Sequence, residues 1–143
     1  MLGAVRLVLI VVAAGVALTA GAAAAPVGGL ETFRTPSKNI ACGYLAGSGG
    51  TPTYLRCDVL SGLKPEPRRP CELDWTGASM RPTGRASAAC AGDTVYDPRS
   101  RILGYGQTWR RPGLKCTSRT TGLTCTNRSG HGFFLSRQRW RLF

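Results

Sequence analysis

The chain of 143 residues has one histidine, His131, and only seven carboxylates against nineteen lysines and arginines. With a single imidazole and no Cys-x-x-Cys, it lacks the closely spaced ligands of a zinc site. It has no Asp/Asn/Gly loop of the calcium-binding kind, no Walker-type glycine loop and no Gly-x-Ser-x-Gly nucleophile elbow. No metal and no cofactor is therefore expected. Long heptads are missing, and no convincing amphipathic helix follows the first 25 residues, so nothing points to a helical fold.

What is present begins with a secretion signature. Met1–Arg6 carries one basic residue, Leu7–Leu18 is apolar, and Thr19–Ala25 is a run of small residues ahead of Pro26. That is the order of n-region, h-region and cleavage zone in a signal peptide. Residues 1–25 are read as that peptide, with the cut a few residues before Pro26, and 26–143 as one domain of ordinary size. No cysteine sits at the cleavage zone, so a lipid anchor is not expected. If retained, Leu7–Ala25 is nearly long enough to span a membrane. Once cut, the chain keeps no span.

Export places the six cysteines in an oxidising compartment, where three disulfides are expected. Short segments alternate with Gly, Pro, Ser and Thr clusters, the pattern of an all-β domain. Strands are predicted at Asn39–Leu45, Tyr54–Leu60, Arg101–Arg110, Leu114–Ser118, Leu123–Asn127, Gly132–Ser136 and Arg139–Phe143, with loops at Ser61–Pro70 and Gly77–Ser87. The architecture read from them is a small antiparallel sandwich or a partly open barrel.

Two pairs of segments repeat one motif. Ile40-x-Cys42 faces Leu55-x-Cys57 across Ala46–Gly50, and Leu114-x-Cys116 faces Leu123-x-Cys125 across Arg119–Gly122. In each, an aliphatic residue and a cysteine share one face of a strand. Facing strands bring such cysteines within bridging range. This hairpin argument selects Cys42–Cys57 and Cys116–Cys125 from fifteen connectivities, leaving Cys71–Cys90.

The blocks Thr35-Pro36-Ser37-x-Asn39-Ile40-x-Cys42, Leu55-Arg56-Cys57-Asp58, Asp74-Trp75, Cys90-Ala91-Gly92-Asp93-Thr94, Tyr105-Gly106-x-x-Trp109, Gly122-Leu123-Thr124-Cys125-x-Asn127 and Gly130–Arg137, closing on Leu142-Phe143, occur in that order. Together they resemble a family of small secreted actinobacterial disulfide-bonded proteins catalogued as a domain of unknown function. The resemblance covers essentially the whole mature chain. It implies an exported, disulfide-bonded domain and brings no catalytic residue with it.

Functional candidates follow from the residues themselves. The chain has sixteen arginines and three lysines, and a net charge of +12. A GC-rich genome alone produces such an arginine bias; a field of this sign also attracts anionic partners. Outside a cell these are wall polymers of the teichoic type, anionic lipid or extracellular DNA, and export argues against a genomic target. In a terminal strand, Arg137, Arg139 and Arg141 would share one face about 6.8 Å apart, and Arg110-Arg111 and Arg68-Arg69 would extend the row. Guanidinium forks pair bidentately with phosphate or carboxylate. The plainer reading is an edge strand charged against aggregation. Tyr105, Trp109 and Trp75 are either a sugar-stacking platform or core.

Three weaker constellations remain. His131, between Gly130 and Gly132, is an acid/base candidate or a turn residue whose imidazole bonds to backbone; Ser118 and Ser136 are the hydroxyls that would accompany it. Glu72 and Asp74 would share a face of an extended segment, with Asp58, Asp93 and Asp97 elsewhere. Such carboxylates serve a glycoside hydrolase or pair with arginines. Ser61-Gly62-Leu63-Lys64 matches Ser-x-x-Lys by chance, without its companion motifs. The function read from the sequence is a non-catalytic envelope or extracellular module that binds anionic polymers. The alternatives are a wall hydrolase using His131 or paired carboxylates, and a secreted inhibitor with a protein partner.

Overall fold

The computed structural model describes residues 29–143; the leader read at 1–25 lies outside them. Eleven strands follow in order: β1 Leu30–Arg34, β2 Ile40–Leu45, β3 Tyr54–Val59, β4 Asp74–Met80, β5 Ser87–Ala91, β6 Arg101–Ile102, β7 Thr108–Arg111, β8 Leu114–Arg119, β9 Gly122–Asn127, β10 Gly132–Leu135 and β11 Trp140–Leu142. They form two sheets. Sheet A runs β5-β4-β3-β2-β1-β6 and sheet B runs β11-β10-β9-β8-β7. The pairings are antiparallel apart from β1–β6. The two sheets are separate and not closed into a barrel, within the all-β architecture expected. No helix long and apolar enough to cross a membrane occurs among the described residues.

The core forms because alternate residues of each strand point the same way. Leu55, Cys57 and Val59 of β3 face inward, as do Leu114 and Cys116 of β8 and Leu123 and Cys125 of β9. Trp109 of β7 closes the layer between the sheets. Its ring lies 5.1 Å from that of Phe33 and 5.4 Å from that of Tyr44, both on sheet A. Its indole N–H donates to Glu31 Oε1 at 3.0 Å, so the buried polar atom is paired.

The disulfides are Cys42–Cys57, Cys71–Cys90 and Cys116–Cys125. Cys42 stands directly opposite Cys57, and Cys116 opposite Cys125, each with 4.0 Å between Cα atoms. That is the close spacing of a non-hydrogen-bonded antiparallel pair. The third bridge ties the end of the Ser61–Pro70 loop to β5. The loop itself is anchored: Leu63 is buried, and Pro65 accepts a hydrogen bond from the Trp140 indole at 2.6 Å.

Three sequence expectations need correction. The predicted strand Arg101–Arg110 is two strands separated by a turn. Gly106, at φ 83°, makes that turn with Gln107, whose amide donates to the Gly104 carbonyl at 3.0 Å. Here the chain leaves the edge of sheet A for the edge of sheet B, and buried Leu103 plugs the corner. The predicted loop Gly77–Ser87 is instead the end of β4, a turn and the start of β5. β4 and β5 carry small residues that lack a strand-like pattern. On one side β4 comes so close to β3 that a Cβ on Gly77 would collide with the Cys57 carbonyl; on the other, Gly77, Ala78 and Ser79 stand opposite Ala89, Ala88 and Ser87 of β5. β1, unpredicted, is held between β2 and β6, with Phe33 under Trp109.

One end of the sandwich is bolted by Asn127. Its side-chain amide donates to the carbonyls of Arg81 (3.0 Å) and Gly84 (2.7 Å), while its oxygen accepts the amides of Ser129 (3.0 Å) and His131 (3.2 Å). All four bonds are made by a buried group, so removing it strands several partners. Asn127→Ala should lower stability by about 2–3 kcal/mol, read in thermal or denaturant unfolding; a change within noise would show that the bolt is redundant.

Access separates the three bridges. Cys42, Cys57, Cys116 and Cys125 are fully buried, whereas Cys90 is exposed. Intact mass should show six hydrogens missing. Limited reduction followed by alkylation should label Cys71 and Cys90 first, because exchange needs an accessible sulfur. Simultaneous labelling of all six cysteines would contradict this burial.

Candidate cationic face

Charge is divided sharply along the chain. Every side-chain carboxylate lies at or before Asp97; residues 98–143 hold ten lysines and arginines and no Asp or Glu, against eight cations and seven acids in residues 29–97. The fold turns this into a division in space, because β7–β11 make up sheet B alone.

The outer face of sheet B is ordered in rows by its register. One row runs Thr108, Thr117, Thr124, Phe134, Arg141 across the five strands. A second runs Arg110, Lys115, Thr126, Gly132. Thr108 and Thr117 join their hydroxyls at 3.1 Å. The face therefore has a threonine centre about 19 Å from edge strand to edge strand. Arg110 and Lys115 flank it on one side, and Arg139 and Arg141 on the other. Arg139 lies 5.3 Å over the Phe134 ring and Arg141 lies 5.1 Å over the Phe143 ring, cation–π contacts that hold the guanidiniums down while leaving them exposed. Arg110 and Lys115 are exposed and directly opposite each other, a like-charge pair that weakens a sheet.

The other candidates fall as follows. Arg137, Arg139 and Arg141 do not form one strand face. Ser136 starts a tight turn, accepting the Arg139 amide on its hydroxyl at 3.1 Å and donating that hydroxyl to the Arg139 carbonyl at 2.9 Å. Arg137 therefore sits in the turn and points to the end of the sandwich, and the strand begins only at Trp140. Arg111 is not free either: it is ion-paired with Glu31 and lies 5.9 Å from the Trp109 ring centre. Arg68 and Arg69 are exposed in the anchored loop. Trp109 is 1% exposed, so no platform of Tyr105, Trp109 and Trp75 exists.

His131 uses its main chain, not its imidazole: its amide bonds to the Asn127 side chain and its carbonyl accepts the Asn127 amide at 2.9 Å. No hydrogen bond joins the imidazole to a hydroxyl or carboxylate among the described residues, and Ser118 is fully buried away from solvent. Glu72 lies in a bend before β4 and does not share a strand face with Asp74. Asp74 instead borders a groove on sheet A of about 450 Å³, with Trp75, Glu66, Asp58 and Asp93.

Two of those carboxylates are already used. Arg56 bonds to Asp58 through Nε (2.8 Å) and a terminal nitrogen (3.0 Å), and to Asp93 at 2.7 Å. Asp58 also accepts from the Thr94 hydroxyl (3.1 Å) and the Val95 amide (3.0 Å). This network straps the segment after β5 over the outer face of sheet A. Burial pulls the Arg56 pKa down, but its bonds to Asp58 and Asp93 and their charges more than offset that, and the net shift is upward. The Arg56 hydrogen bond and charge hold Asp93 below the usual aspartate value. Asp97 is likewise lowered, chiefly by the Arg99 amide, which donates to it at 2.8 Å.

A carboxyl whose folded pKa is depressed stabilises the fold fully above its unfolded value and loses that contribution as pH falls through the folded value. Asp93→Asn should therefore lower the melting temperature at pH 6, and the gap from wild type should close below about pH 3.9. A gap of constant size down to pH 2.5 would show that the Arg56 pairing contributes nothing measurable.

Among the described residues, no cluster of three His, Cys, Asp or Glu side chains is arranged to hold a metal ion. No curated protein and no solved structure matches the chain. A family model matches residues 10–143, nearly its whole length, and the chain belongs to that family, DUF6636, a family of unknown function.

Proposed function

We propose that this protein is a non-catalytic binding module of the extracellular or envelope space, and that the outer face of sheet B holds an anionic polymer. The observation that carries this reading is the absence of side-chain carboxylates from the strands of sheet B. A five-stranded face with exposed cations at both sides of a threonine centre has no side-chain carboxylate of its own to neutralise it. Phosphates or carboxylates of an extended chain would meet Arg110 and Lys115 at one side and Arg139 and Arg141 at the other, with threonine hydroxyls between them. Two open hollows of about 310 and 330 Å³, one beside Phe134, Arg139 and Arg141 and one beside Arg110, Lys115 and Thr126, lie at the two sides of this face, where successive anionic groups of one chain would sit. The like-charge pair Arg110–Lys115 costs the folded protein a little and is relieved by an anion. That is the trade expected where a surface serves binding over stability. Three disulfides, and the leader read from the sequence at residues 1–25, support action outside the cell.

The test is co-sedimentation with bacterial cell walls, intact or stripped of their anionic polymers, at low and high salt. Retention should need the polymers and fall steeply with salt, since bound cations release counterions and distant charges are screened. Lys115→Gln should weaken retention while leaving the melting temperature unchanged or slightly raised, because it removes the repulsion with Arg110. Retention by stripped walls in high salt, or an unaltered response in Lys115→Gln, would sink the polymer reading.

A further inference from the structure

Three turns meet at one end of the sandwich and enclose a cleft of about 200 Å³. They are the β1–β2 turn around Ser37 and Asn39, the β8–β9 turn from Arg119 to Gly122, and the β10–β11 turn with Arg137. We propose that this cleft is a discrete site for a single oxyanion group, a phosphate monoester or a carboxylate, held between the guanidiniums of Arg119 and Arg137. The proposal is independent of the polymer reading, since the cleft would take a small anion whether or not the flat face holds a chain.

The lining mixes donors with apolar groups. It holds two arginines, Asn39, Gln138 and hydroxyl side chains beside Ile40 and Tyr105, and no side-chain carboxylate. Neither Arg119 nor Arg137 has an ion pair or a side-chain hydrogen bond among the described residues, unlike Arg56 and Arg111, which meet acids, and Arg139 and Arg141, which lie on rings. The Asn39 side-chain nitrogen, buried from solvent, likewise has no partner among the described residues. Two unpaired forked cations at one concavity form an arrangement that an oxyanion completes, because guanidinium–oxyanion pairs are bidentate and directional.

The walls are fixed before any ligand arrives. Thr35 and Ser37 join their hydroxyls at 3.1 Å, and the Thr35 carbonyl accepts the Lys38 amide at 2.9 Å. The Ser136 hydroxyl accepts the amides of Gln138 (3.3 Å) and Arg139 (3.1 Å), which sets the backbone on either side of Arg137. Preorganised walls spare a ligand the entropy of ordering them. The volume is below that of ordinary drug-sized pockets and suits a small anionic group or a chain terminus, not a polymer segment.

The test is titration of the isotope-labelled protein with methyl phosphate and, separately, with acetate, both at 150 mM sodium chloride, followed by amide chemical shifts. Saturable shifts are expected at Gly122, Gln138 and the Asn39 side-chain amide. Arg137→Gln should raise the dissociation constant about tenfold, as loss of one charge-assisted pair implies. Arg110→Gln, a change on the flat face, should leave it unchanged. Tighter binding of methyl phosphate than of acetate would name the group as a phosphate monoester; the reverse order would name a carboxylate. Non-saturating shifts with both probes would overturn the proposal. So would equal weakening by Arg137→Gln and Arg110→Gln, because that would mean general attraction to the cationic face. Arg137 is exposed and unpartnered, so its variant should melt with wild type, which separates loss of the site from loss of the fold.

Discussion

Each sheet is locked at its centre by one cross-strand cystine, and the rest of the molecule depends on the registers those two bonds impose. In a strand a slip of one residue turns every side chain to the opposite face. Cys42–Cys57 forbids that slip between β2 and β3, and Cys116–Cys125 forbids it between β8 and β9. With registers held, Leu55, Val59, Leu114 and Leu123 must point inward. Thr117, Thr124, Arg56 and Asp58 must point outward. A domain of this size has a modest apolar core, and each closed loop in the unfolded chain is worth about 3 kcal/mol in the chain-entropy view. That is large beside the usual 5–15 kcal/mol of a whole domain.

The two outer faces show what that constraint makes room for. On sheet A the outward row is spent on structure: Arg56, Asp58 and Asp93 strap the segment that follows β5. On sheet B the outward rows are left open, with hydroxyls, rings and unopposed cations. Among the described residues, Glu31 is the acid that hydrogen-bonds and ion-pairs with sheet B, and it is consumed by Trp109 and Arg111. The same arginine-rich composition therefore does two jobs. Arg56 and Arg111 meet acids and join elements of the fold; Arg110, Arg139 and Arg141 meet none and face solvent and any anion in it.

Trp109 shows why composition alone misleads about function. An aromatic near Tyr105 suggested a surface for sugars, yet its indole fills the gap between the sheets and its one polar atom is satisfied by Glu31, 78 residues earlier in the chain. His131 is the matching case. Its neighbours Gly130 and Gly132 suggested an active-site loop, while its part in the fold is played by main-chain groups that close the turn beneath Asn127.

The all-β class, the β2–β3 and β8–β9 hairpins and their disulfides were legible in the sequence, because alternation and turn residues are local signals and the Ile/Leu-x-Cys repeat falls on single strands. β1, β4 and β5 were not. Their residues are short, small or mixed, and they become strands only because neighbours supply a ladder of hydrogen bonds. The acid-free stretch after Asp97 was also present in the sequence, but its meaning was not. Charge along a chain becomes charge on a surface only when the turn at Gly104–Gln107 carries that stretch into a sheet of its own. The end cleft lies furthest from sequence reading. Asn39, Arg119 and Arg137 are up to 98 positions apart, and only the stacking of two sheets, which buries their apolar faces, brings those three turns to one edge.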